Sequence, residues 1–97
     1  MNIQDMEGRA DEVAGLMKTL SHRTRLLLLC QLVDGEKSVG ELAQRLGQAQ
    51  PNVSQQLALL RREGLVQTRR DGQTIYYVLP SGRLSRLMGF LYDNFCD

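Results

Sequence analysis

SVGELAQRLGQAQPNVSQQLALLRREGLV at residues 38–66, with RRDGQTIYYVL at 69–79 following after two residues, decides how this chain folds. Ser38 and Glu41 have the S-x-x-E spacing of a capping box, in which each side chain takes an orphan backbone N–H of a helix start, so a short helix is expected through Leu46. Gly47 ends it. After roughly three turn residues a second helix begins near Gln50, with Pro51 tolerated because first-turn N–H groups have no intrahelical partner. Val53, Leu57 and Leu60 mark its buried stripe and leave Asn52, Ser54, Gln55, Ala58, Arg61 and Arg62 outward, while Gly64 supplies a left-handed C-terminal cap. Residues 65–70 and 73–79 are β-prone runs joined at Asp71-Gly72, a strong hairpin signal, and Pro80 closes the second.

The flanks extend this pattern. Residues 7–20 place Val13, Leu16, Met17 and Leu20 on one stripe, with acidic residues at the start where the helix dipole favours them. Ser21 is a good N-cap for the next helix, whose run Leu26–Cys30, LLLLC, is apolar on every side, as in a central helix buried all round. Asp34-Gly35 is its expected stop. Ser81 opens a last helix whose apolar positions Leu84, Leu87, Met88, Leu91 and Phe95 recur at helical spacing up to Cys96. Four helices, a hairpin and a fifth helix make a mainly α fold with a β-hairpin wing: a winged helix-turn-helix, one domain over residues 1–97.

Ninety-seven residues enclose a single core, and 42% hydrophobic with 24% charged residues excludes a disordered chain. The net charge is only +1, so the distribution of charge carries more than its sum. Residues 1–49 balance at −1 and residues 50–97 at +2. The polar, acidic start MNIQDMEGRADEV lacks the basic region and apolar stretch of a signal peptide, which leads us to expect a cytoplasmic, nucleoid-associated protein with no membrane partner.

The outer face of the second helix suits double-stranded DNA. Amide side chains make paired hydrogen bonds with adenine in the major groove and Ser adapts to several bases, so Gln50, Asn52, Ser54 and Gln55 are the candidate base contacts. Phosphates need cations and N–H donors, and Arg61, Arg62, Arg69, Arg70 and Gln73 gather at the helix end and hairpin. Taken singly, each of these residues also reads as an ordinary soluble surface residue; helix, turn, helix and hairpin in this order favour DNA. No Gly-rich phosphate loop, second histidine or activated nucleophile suggests an enzyme.

The segments LSHRTRLLLLCQL, SVGELAQRLGQAQPNVSQQLALLRREGLV and RRDGQTIYYVL, in this order, resemble the ArsR/SmtB family of winged-helix repressors over nearly the whole chain. The resemblance implies a homodimeric transcriptional repressor on an inverted-repeat operator, paired through its first and last helices, with an inducer that releases DNA. Both terminal helices also carry more apolar surface than a monomer of this size readily covers, so Val13, Leu16, Met17, Leu20, Leu84, Leu87, Met88 and Leu91 are the candidate dimer interface. The chain departs from the family pattern at Ala49, which stands where a capping Ser is usual, and at Gln56, in the place of a common His.

Residues 38–46 hold no Cys and the last helix no His, so the metal-ligand sets of the family are missing, and no metal or other cofactor is expected. His22 reads as an exposed helix-start residue. Cys30 and Cys96, with 65 residues between them, resemble the persulfide-responsive branch of the family, the BigR, SqrR and HlyU type. That resemblance implies redox sensing: the two thiols face each other and become joined by a disulfide or longer sulfur chain, with persulfide, polysulfide or an oxidant as inducer. Two other readings stay open: a constitutive DNA-binding, anti-silencing activator with inert cysteines, and a soft-metal-responsive repressor.

Overall fold

A computed structural model describes residues 1–80 and 82–96. Helices α1 (Ile3–Glu7), α2 (Ala10–Leu20) and α3 (Arg23–Val33) precede a two-residue strand β1 (Lys37–Ser38); α4 (Val39–Leu46), α5 (Gln50–Arg62), strands β2 (Gln67–Asp71) and β3 (Thr74–Val78), and α6 (Gly82–Phe95) follow. α3 packs against α2, α4, α5 and α6 and is the central helix. The strands form one antiparallel sheet in the order β1-β3-β2.

The core joins Leu28, Leu29 and Leu32 of α3, Leu42 and Ala43 of α4, Val53, Leu57 and Leu60 of α5, Val66, and Leu84 and Met88 of α6. Each large aliphatic side chain so buried contributes about 1.5–3 kcal/mol relative to exposure. The helix-turn-helix closes as expected: Ser38 accepts from the Glu41 backbone N–H while the Glu41 carboxylate takes that of Ser38, and Gly47 sits at φ +65°. At the end of α5, Gly64 at φ +76° lets the Leu65 N–H reach Leu60 O at 2.9 Å and its own N–H reach Arg61 O at 3.0 Å, a Schellman closure. Among the described residues no helix is long and apolar enough to cross a membrane.

Several expectations need correction. The single helix over 7–20 is two helices parted at Gly8 and Arg9; α1 starts two residues after Met1 because the Asn2 side chain accepts from the Gln4 N–H. The N-cap of α3 is His22, not Ser21: the His22 ring Nδ1 accepts from the Arg25 N–H at 3.5 Å, while the Ser21 hydroxyl donates backward to Lys18 O at 2.6 Å. His22 does stand at the helix start, but half-buried rather than exposed as expected. Nor is α3 buried all round, since its run ends with Cys30 exposed.

The hairpin turn lies one residue later than the Asp71-Gly72 signal suggested. Asp71 pairs with Thr74, so Gly72 and Gln73 are the two turn residues. Only Gly72 has positive φ, +62°, and a single left-handed residue at the first central position is the type II′ pattern. β1 has too few residues for any alternating pattern and was not expected. The proposed cap at Ser81 falls outside the described residues.

Candidate nucleic-acid interface

Gln50, Asn52, Ser54 and Gln55 all stand exposed on α5, opposite the buried Val53, Leu57 and Leu60. Their helix starts without a side-chain cap, because Ala49 has no oxygen to offer. Asn52 is tethered instead: its Nδ2 donates to Gln48 Oε1 at 2.7 Å, and Gln48 Nε2 donates to the hydroxyl of Thr24, buried at the start of α3, at 3.0 Å. The first turn of the helix is thereby held from outside.

Of the candidate phosphate contacts, Arg61 and Arg62 are exposed at the last turn of α5, and Gln73 is exposed at the tip of the wing. The two wing arginines are already engaged. Arg69 donates through Nε and Nη2 to both carboxylate oxygens of Glu36, at 2.8 and 2.5 Å, and its guanidinium lies 4.9 Å from the centre of the Tyr76 ring. Those hydrogen bonds hold the Glu36 carboxyl below the usual carboxylate range. Arg70 Nε donates to Gly72 O at 3.0 Å within the hairpin. Nothing in the local sequence announces the Glu36 pair, whose partners are 33 residues apart.

The two thiols are exposed and unbridged. Cys30 Sγ lies 3.7 Å from Met88 Sδ of α6, and Cys96 follows the same helix, its N–H bonded to Tyr92 O at 2.9 Å. Burial pushes the Cys30 thiol above its ordinary pKa, and the charge of Cys96 pushes the same way. Among the described residues no three His, Cys, Asp or Glu side chains gather where a metal ion could be held.

The candidate dimer residues divide. Leu84 and Met88, at 4% and 2% exposure, are taken up by the protomer's own core and cannot line an outer face. Leu16, Leu20, Leu87 and Leu91 are half-buried against that core, and Val13 and Met17 remain exposed. Phe90, Tyr92 and Phe95 of α6 are exposed instead, and two of them fall outside the i, i+3, i+4 stripe that guided the expectation.

Residues 22–68 match the model of a family described as "Bacterial regulatory protein, arsR family". The chain is 53% identical over 96 residues to the biofilm growth-associated repressor of Xylella fastidiosa, covering 99% of this chain and 84% of the relative. The chain belongs to the arsR family. The crystal structure of the transcriptional repressor BigR from Xylella fastidiosa superposes with a TM-score of 0.93 at 52% identity, over 100% of this chain and 99% of that one. The transcriptional activator HlyU of Vibrio cholerae is 43% identical over 97 residues, covering 100% of this chain and 90% of the relative. This arsR-family chain is therefore a DNA-binding transcriptional regulator and not an enzyme.

Proposed function

We propose that the protein is a homodimeric repressor that reads an inverted-repeat operator through α5 and releases it when Cys30 and Cys96 are joined by reactive sulfur or oxidants. A twofold dimer sets two such helices about 34 Å apart, one turn of DNA. Val13, Met17, Phe90, Tyr92 and Phe95 provide the exposed apolar surface for pairing. What supports the switch is that Cys30 stands exposed on α3, which packs against α6, and that a second exposed thiol, Cys96, directly follows α6.

The chemistry balances. A thiolate of the pair takes the terminal sulfur of a persulfide RSSH and expels RS−; the second thiolate attacks the protein-bound sulfur of the resulting perthiol, closes the S–S bond and expels hydrosulfide. Hydrogen trisulfide reacting with both thiols leaves one inserted sulfur and releases two molecules of hydrogen sulfide. A direct disulfide needs Cα atoms about 4.4–6.8 Å apart, and an inserted sulfur lets thiols that stand farther apart join. A loop of this length constrains the chain by up to ~4 kcal/mol, and each ~1.4 kcal/mol that favours one dimer geometry shifts DNA occupancy tenfold.

One observation favours a second reading, a constitutive activator with inert cysteines: the raised pKa of Cys30 keeps it in the less reactive thiol form. Fluorescence anisotropy on the protein's own upstream DNA separates the two at fixed salt. Loss of binding with persulfide, restored by dithiothreitol and absent in Cys30→Ser, is the expected outcome of the switch. Equal binding in every state selects the second reading.

A further inference from the structure

The seven residues from Thr19 to Arg25 join α2 to α3, and they hold the outer helix α5 at its start, middle and end. At the start, Thr24 anchors Gln48, which anchors Asn52. In the middle, Arg25 Nη1 donates to Gln56 Oε1 at 3.2 Å. At the end, the Thr19 hydroxyl donates to the carboxylate of Glu63, the residue that closes α5. These three holds span about 16 Å of helix axis.

We infer that Arg25 is a positioning residue for DNA reading, fixing the pose of α5 from the α2–α3 junction. Its Nε donates to Thr19 O at 2.8 Å, a carbonyl in the last turn of α2 that has no acceptor role left within its own helix. The cation sits where the dipole of α2 favours it. The same planar guanidinium carries the bond to Gln56, so one rigid group ties the end of α2 to the centre of α5. A lysine ammonium on a flexible stem does not reproduce that fork. Arg25 is half-buried beneath the reading face rather than on it, so it acts through the orientation of α5 and not by touching DNA.

This inference rests on α5 reading DNA and is independent of the thiol switch. The test uses the full reduced chain as Arg25→Met, Arg25→Lys, Gln56→Met and the Arg25→Met/Gln56→Met double variant. Affinity for the protein's upstream DNA and for an unrelated duplex is measured across a salt series, beside thermal melts. A positioning role predicts that Arg25→Met loses about tenfold on the upstream DNA, keeps its affinity for the unrelated duplex and keeps its salt slope, because no phosphate contact is removed. Arg25→Lys recovers part of the loss. Gln56→Met loses affinity in the same selective way, and the double variant loses less than the sum, since both single changes cut the shared Arg25–Gln56 hydrogen bond. Should Arg25→Met not fold, Gln56→Met decides by the same selective loss. Equal losses on both duplexes with a slope smaller by about one, or wild-type affinity in folded variants, would overturn the inference while leaving DNA reading intact. Absence of wild-type binding to the upstream DNA would overturn the operator reading and this inference with it.

Discussion

Helix α5 turns Val53, Leu57 and Leu60 fully into the core, whereas neither wing strand, β2 nor β3, has a fully buried side chain. The helix is fixed by close packing and by hydrogen bonds among half-buried partners. The wing is shaped by its turn, its ladder and an exposed ion pair, and exposed pairs contribute little because solvent screens them. The two surfaces proposed to meet DNA therefore differ in stiffness: α5 is a rigid support for its amides, and the wing carries charge on a support that yields.

Four changes test that contrast, starting with the largest. Leu57→Ala leaves a cavity under α5 and is expected to cost about 2–5 kcal/mol of unfolding free energy; a denaturant midpoint close to wild type would mean the helix is not core-fixed. Gln55→Ala removes a candidate base contact from a rigid support, and a loss of about 1–3 kcal/mol in discrimination between operator and unrelated DNA is expected, with stability unchanged. Ala49→Ser gives the first turn of α5 the cap it lacks, and a thermal melt should show a gain of about 1 kcal/mol.

Glu36→Gln is the smallest and bears on the wing. Freed from its carboxylate, Arg69 becomes available to phosphate, so affinity should rise a few-fold at low salt and the salt slope should steepen by about one. The paired wild type adds a pH signature. Arg69 keeps the folded Glu36 pKa below its unfolded value, so the pair is intact at neutral pH, persists into mild acid, and is lost as pH falls through that lowered pKa. DNA affinity that gains an Arg69 contribution only below the ordinary carboxylate range fits this order; the same gain near neutrality does not.

The helix-turn-helix was legible in the sequence because its signals are local. Ser38 with Glu41, Gly47, Gly64 and the spacing of Val53, Leu57 and Leu60 each act within a few residues of themselves. The turn was misplaced by one residue because Asp71-Gly72 and Gly72-Gln73 both offer a glycine, and the pairing of Asp71 with Thr74 selects between them. His22 took the N-cap from Ser21 because the hydroxyl found a nearer carbonyl behind it. The holds on α5 and the Glu36–Arg69 pair link residues 24 to 44 positions apart, and no periodicity encodes such a meeting. Leu84 and Met88 share a stripe with Leu87 and Leu91, and only the packing of α6 on α3 decides which of them are enclosed.

The sheet order β1-β3-β2 leaves β2 as an outer edge with unpaired backbone groups along one side. Such an edge is a template on which another chain can add a strand. Its sequence, QTRRD, answers that hazard: Arg69, Arg70 and Asp71 stand exposed along the strand, and a second copy arriving in register would bring like charges together. The exposed charges thus disfavour edge-to-edge pairing of two copies, and replacing both arginines with β-formers such as Val should make the protein aggregate through its wing.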